Sequence, residues 1–107
     1  MSEQVIRNIT SSLKQKFSLI YQERLDKLIL FGSRARGDAG KESDVDIMVV
    51  LKDEVNPVIE IKKNIKFISD LCLDFNEDIN CFYISSEELE NSDNLLLNNV
   101  KKEGIVL

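Results

Sequence analysis

The chain has 107 residues, 43% of them hydrophobic and 31% charged, which is the composition of an ordinary globular domain with one modest core. Its formal net charge of -5 argues against a free-standing nucleic-acid binder, which normally carries a basic face. With no histidine and only Cys72 and Cys81 as thiols, a structural zinc site lacks ligands. The N-terminus has no apolar core of leader length, and no stretch approaches the roughly 18 apolar residues of a membrane span. The expectation is a cytoplasmic single domain over residues 1–107 with both thiols reduced.

In chain order, Val5, Ile9, Leu13, Phe17 and Ile20 recur at helical spacing, which predicts an amphipathic helix over about residues 2–22. Leu28 to Phe31 is a continuous apolar run, suited to a strand covered on both faces, and Gly32 ends it. Ser33 stands where an N-cap would stand, with one helical turn over 34–36 behind it and a loop over 37–42. Val45 to Leu51 reads as a second strand. Asn56 and Pro57 read as an N-cap and a first-turn proline. They open a helix whose apolar stripe is Ile61, Ile65, Ile68, Cys72 and Phe75, with Lys62, Lys63 and Lys66 on its wet side. A third strand is predicted over 78–84. Ser85 and Glu88 have capping-box spacing. Leu95, Leu96, Leu97 and Val100 suggest a last helix closed by Gly104, followed by a short edge strand over 105–107. The first two strands should be neighbours, and the long crossover helix implies a parallel pairing after them. The fold class is α/β in the broad sense (α+β), a small mixed sheet flanked by helices.

The most specific stretch is Gly32-Ser33-Arg34-Ala35-Arg36-Gly37, followed after a short loop by Ser43-Asp44-Val45-Asp46. Glycine at position 32 lets backbone approach a ligand with no Cβ in the way. Ser33 can offer hydroxyl and amide to a phosphate at the start of a helical turn. Arg34 and Arg36 are candidates to contact phosphate oxygens through a guanidinium, with Ser33 the favoured contact and Arg36 the second. Alternate strand residues share a face, so Asp44 and Asp46 point the same way about 6.6 Å apart. Two carboxylates so close repel unless a cation lies between them, and magnesium commonly joins one or two carboxylates to substrate phosphates. An isolated Asp-x-Asp is most often a solvated strand end, and an isolated Gly-Ser a simple turn. Their pairing at two strand ends is what points to a nucleoside triphosphate site.

On these residues the chain resembles the DNA polymerase β-like nucleotidyltransferases. It is most similar to the minimal nucleotidyltransferase (MNT) group, whose pattern is a glycine-serine turn, a further glycine and a serine-aspartate-x-aspartate end. The resemblance implies the nucleotidyltransferase fold, Mg2+ held by Asp44 and Asp46, and ATP gripped near Gly32, Ser33, Arg36 and Ser43. Active members usually carry a third carboxylate on a later strand. Here Asn80 occupies the position where that aspartate is most often found, and Asp78, one strand repeat away, is the candidate third catalytic and metal-binding acid. The resemblance further implies transfer of AMP to a tyrosine hydroxyl of a HEPN-domain toxin, the chain serving as its antitoxin. Two other readings stand beside it: a degenerate module that neutralises its partner by binding alone, and an enzyme modifying a small molecule such as an antibiotic.

Overall fold

A computed structural model describes residues 3–32, 35 and 44–107. The expected turn over 34–36 and the loop over 37–42 lie, Ala35 apart, outside the described residues. Helix α1 spans Glu3–Tyr21 and is followed by a 3-10 turn, Gln22–Arg24. Strand β1 is Leu25–Phe31, β2 is Val45–Leu51, helix α2 is Pro57–Phe75 and β3 is Ile79–Ser85. Helices α3, Ser86–Asn91, and α4, Leu95–Glu103, lead into the two-residue strand β4, Ile105–Val106.

The strands form one sheet in the order β3-β2-β1-β4. β1 runs antiparallel to β2 and to β4, whereas β2 and β3 are parallel across the α2 crossover. The sheet is therefore mixed, as expected. β1 begins earlier than its apolar run, because Leu25 pairs with Leu51 across an irregularity before Lys27. That pairing rescues a segment, Leu25-Asp26-Lys27, whose composition does not announce a strand.

Strand alternation divides the core into two layers. Leu28, Leu30, Val45, Ile47, Val49, Leu51, Ile79 and Tyr83 face α1 and α2, meeting Ile9, Leu13, Phe17 and Tyr21. Ile29, Phe31, Met48, Val50 and Ile84 face the other way and are covered by Leu89, Leu97 and Val100. Asn56 caps α2, accepting from the Val58 and Ile59 amides, and Ser85 accepts from the Glu88 amide. α2 ends at Asn76 in the left-handed region (φ 52), a conformation asparagine tolerates better than most residues. Gly104 closes α4 with φ -68, so no left-handed cap explains the glycine. Space does: a Cβ there would stand 2.4 Å from both Ile29 Cγ2 and the Val100 carbonyl oxygen.

The apolar stripe expected on α2 is corrected in its first half. Ile61 and Ile65 are 47% and 58% exposed, and the buried positions are Glu60, Asn64 and Leu71. Ile68, Cys72 and Phe75 do pack partly against the core. The helix turns its polar pair inward because Tyr21 is waiting there. The Tyr21 hydroxyl donates to Glu60 Oε1 at 2.6 Å, while Asn64 Nδ2 donates to Tyr21 Oη at 2.8 Å and to the Glu60 carbonyl at 2.9 Å. Burial first, then the Glu60 hydrogen bond, pushes the Tyr21 hydroxyl well above its ordinary pKa. It stays protonated and remains a donor. Cys72 and Cys81 are free thiols, and burial pushes Cys81 up to about 12, leaving it unreactive. Among the described residues no helix is long and apolar enough to cross a membrane.

Candidate functional site

The site lies where β1 ends and β2 and β3 begin. In the ladder Phe31 is opposite Asp46 on one side, and Asn80 is opposite Asp46 on the other. Val45 is fully buried toward α1 and α2. Alternation therefore puts Asp46 on the sheet's second face, in line with Met48 and Val50. Asp44 is exposed just before the strand.

Asn80 joins the two acids. Its Nδ2 donates to Asp44 Oδ2 at 2.8 Å and to Asp46 Oδ1 at 3.3 Å. The carboxylates thus converge on a point that one small donor can reach. Burial pushes the Asp46 carboxyl above the usual carboxylate range, the Asn80 hydrogen bond opposes this, and the negative charge of Asp44 adds to it. The pair is short of positive charge, which is the electrostatic condition for holding a cation.

Gly32 completes the wall. Its φ is +79, a conformation glycine adopts without penalty. A Cβ at this position would lie 2.7 Å from Asp46 Oδ2, so a side chain here would also push the Asp46 carboxylate aside. The Ala35 amide donates to the Gly32 carbonyl at 3.1 Å. The acid pair therefore lies beside Gly32. Ser33, Arg36 and Ser43 lie outside the described residues.

Asp78 stands apart from this group. It is exposed, precedes β3, and its carbonyl accepts from the Val45 amide at 2.9 Å. Among the described residues no three acids, cysteines or histidines come together as a metal-holding group. The strand register gives the reason. Asn80 is the residue level with Asp46, and position 78 falls one pleat repeat earlier. A two-carboxylate set of hard oxygens still suits magnesium, which completes its shell with waters and substrate oxygens. The converging acids with a cradle at Gly32 fit such an ion.

The architecture is a mixed sheet flanked by helices, with two carboxylates converging at its strand ends. The chain belongs to the nucleotidyltransferase domain family, which it matches over residues 6–107. A Methanocaldococcus jannaschii protein named as a candidate protein adenylyltransferase is 37% identical over 107 residues, covering 98% of this chain and 96% of that one. Among solved structures, a toxin-antitoxin complex with AMP-PNP superposes with a TM-score of 0.59 at 20% identity, covering 89% of this chain and 69% of that one. A variant of the MntA-HpeT toxin-antitoxin superposes with a TM-score of 0.58 at 21% identity, covering 91% and 70%. At such identities these two likenesses speak to the fold.

Proposed function

We propose that the protein is a Mg2+-dependent adenylyltransferase that moves AMP from ATP to a hydroxyl of a partner protein, and that the partner is a HEPN-domain toxin which it restrains as antitoxin. The observation that carries this is the convergence of Asp44 and Asp46 on one point beside Gly32. The names of the full-length relative and of the toxin-antitoxin neighbours support the choice of a protein acceptor.

In the reaction the acceptor oxygen bonds to the α-phosphorus, the bond from that phosphorus to the bridging oxygen breaks, and pyrophosphate leaves with its electron pair. The hydroxyl proton passes to solvent or to a carboxylate. Asp44 and Asp46 would hold the ion, which supplies charge neutralisation as pyrophosphate departs. Asn80 keeps both carboxylates aligned. Gly32 lets backbone come close to phosphate, and Ser33, Arg36 and Ser43 are the phosphate contacts expected from the sequence.

The test is incubation with ATP, Mg2+ and a purified HEPN-domain protein, read by intact mass. One added AMP, absent without Mg2+, is the expected result. A second reading, a module that restrains its partner by binding without turnover, is favoured by one feature: an amide at position 80 beside the acid pair. An unmodified partner that nevertheless forms a stable complex under saturating ATP and Mg2+ would establish it.

A further inference from the structure

β3 forms one margin of the sheet. Its sequence, Ile79-Asn80-Cys81-Phe82-Tyr83-Ile84-Ser85, contains neither a charge nor a proline. Natural edge strands are usually shielded by charges, prolines, bulges or a covering element, since open N–H and C=O groups invite another strand. A groove of about 230 Å³ runs here, lined by residues 79–83 and by Ile61, Ile65 and Ile68 of α2. Consecutive β3 residues point to opposite faces, so a groove touching all five follows the strand's outer edge. Its rim is apolar and open: Phe82 is 43% exposed, beside the exposed Ile61 and Ile65. One lining residue, Asn80, also touches both acids.

Charge selects the occupant. Asp44 and Asp78 lie at the start of β3, and Glu87 and Glu88 follow its end in α3, all four exposed. A second copy pairing antiparallel about a two-fold axis would set the acidic start of each strand beside the acidic end of the other. Like charges brought opposite each other disfavour that pairing. A complementary segment is apolar at its centre and basic at both ends.

We propose that β3 and its groove receive an extended segment of a partner protein as an added strand, with alternate apolar side chains in the groove and lysine or arginine at each end. A hydroxyl side chain level with Asn80 is thereby delivered to Asp44 and Asp46. That last step rests on the adenylyltransferase reading; the docking does not.

The probe is a fluorescent peptide of alternating valine and threonine with a central tyrosine and lysines at both ends. Its control carries glutamates at the ends. The lysine-ended peptide is expected to bind by anisotropy, the glutamate-ended one at least about tenfold more weakly, and amide hydrogen exchange should slow across residues 79–85. Phe82→Lys should weaken binding about tenfold or more by placing an edge-blocking charge on the strand. Ile65→Lys, on the helix side, carries the same expectation without altering the strand. Equal binding of both peptides, no binding at millimolar concentration, unchanged β3 exchange, or a self-associated protein with β3 already protected would each overturn the proposal. Binding along β3 to a peptide that never gains AMP refutes the transfer reading alone. AMP transfer to a partner that leaves β3 exchange unchanged refutes the docking alone.

Discussion

Two polar clusters in this protein are built from the same parts and do opposite work. In each, an asparagine amide donates to two oxygens. Asn64 bridges the Tyr21 hydroxyl and the Glu60 carbonyl beneath α1 and α2, and Asn80 bridges Asp44 and Asp46 at the end of the sheet. The first cluster is closed: Glu60 and Asn64 are 6% and 1% exposed, and Glu60 receives the Tyr21 proton donor. The second is open and holds two like charges around one neutral donor. A buried polar group that loses its partner costs stability, whereas an acid pair with one member exposed and the other half-buried is itself a standing cost. Enclosure with hydrogen-bond partners inside the protein marks structure. An unmet demand for positive charge at an open strand end marks a site.

The largest effect should come from the open cluster. Asp44→Asn combined with Asp46→Asn is expected to lower AMP transfer by about a thousandfold or more, while the metal-free Tm stays equal or rises. The pH dependence sharpens this. The Asp46 carboxyl is pushed above the usual range, chiefly by burial, so the folded state binds its proton better than the unfolded chain does. The corresponding stability is fully present below the ordinary aspartate pKa of about 3.9 and is lost as pH rises through the raised value. Asp46→Asn alone should therefore melt higher than the metal-free wild type at neutral pH, with the gap closing as pH falls toward 4. A variant that loses Tm along with activity would erase the contrast between the clusters.

Breaking the closed cluster should give the reverse pattern. Glu60→Ala leaves the buried Tyr21 hydroxyl without its acceptor and opens space beside it. It should cost about 2–4 kcal/mol, seen as a Tm lower by roughly 10 °C or more. AMP transfer per folded molecule should be unchanged. A smaller change sharpens the open cluster: Asn80→Asp adds a third carboxylate level with Asp46. Without metal it should lower Tm by adding repulsion, and with Mg2+ it should tighten ion binding by about tenfold, read by calorimetry. If Mg2+ affinity does not rise, the acids are not where the ion binds.

The fold was legible because its signals are local and mutually consistent. The spacing of Ile9, Leu13 and Phe17, the apolar run before Gly32, the β-branched run from Val45 and the Asn56-Pro57 start all specify elements without help from distant residues. The facing of Gly32 and Asp46 was legible too, since strand alternation and the short connection leave few other arrangements. What the sequence hid depends on partners far along the chain. The apolar periodicity of α2 included Ile61 and Ile65, yet Glu60 and Asn64 take the inner face because Tyr21, 39 and 43 positions earlier, hydrogen-bonds to both. Gly104 reads as a helix stop, but its necessity lies in space, shared between the Val100 carbonyl one turn back and Ile29 on a neighbouring strand. The offset of Asp78 was read from the family resemblance and not from periodicity, and the β2–β3 register agrees in setting Asn80 level with Asp46.

The smallest expected effect tests whether burial is what separates the clusters. Arg24 Nε donates to Asp53 at 3.1 and 2.9 Å, the two oxygens of one carboxylate, with side chains 39% and 55% exposed. The Arg24 hydrogen bond holds the Asp53 carboxyl below the usual range. A lowered pKa stabilises the fold above the ordinary aspartate value, and that contribution is lost as pH falls through the lowered one. Water and salt screen such a pair. Nearby the Lys52 amide also donates to the Arg24 carbonyl at 2.8 Å, so the backbone junction survives without the ion pair. Asp53→Asn should lower Tm slightly at neutral pH, far less than Glu60→Ala, and the difference should vanish in molar salt. If it costs as much as Glu60→Ala, well-made hydrogen bonds alone would account for the stability of both, and enclosure would no longer distinguish the structural cluster from the site.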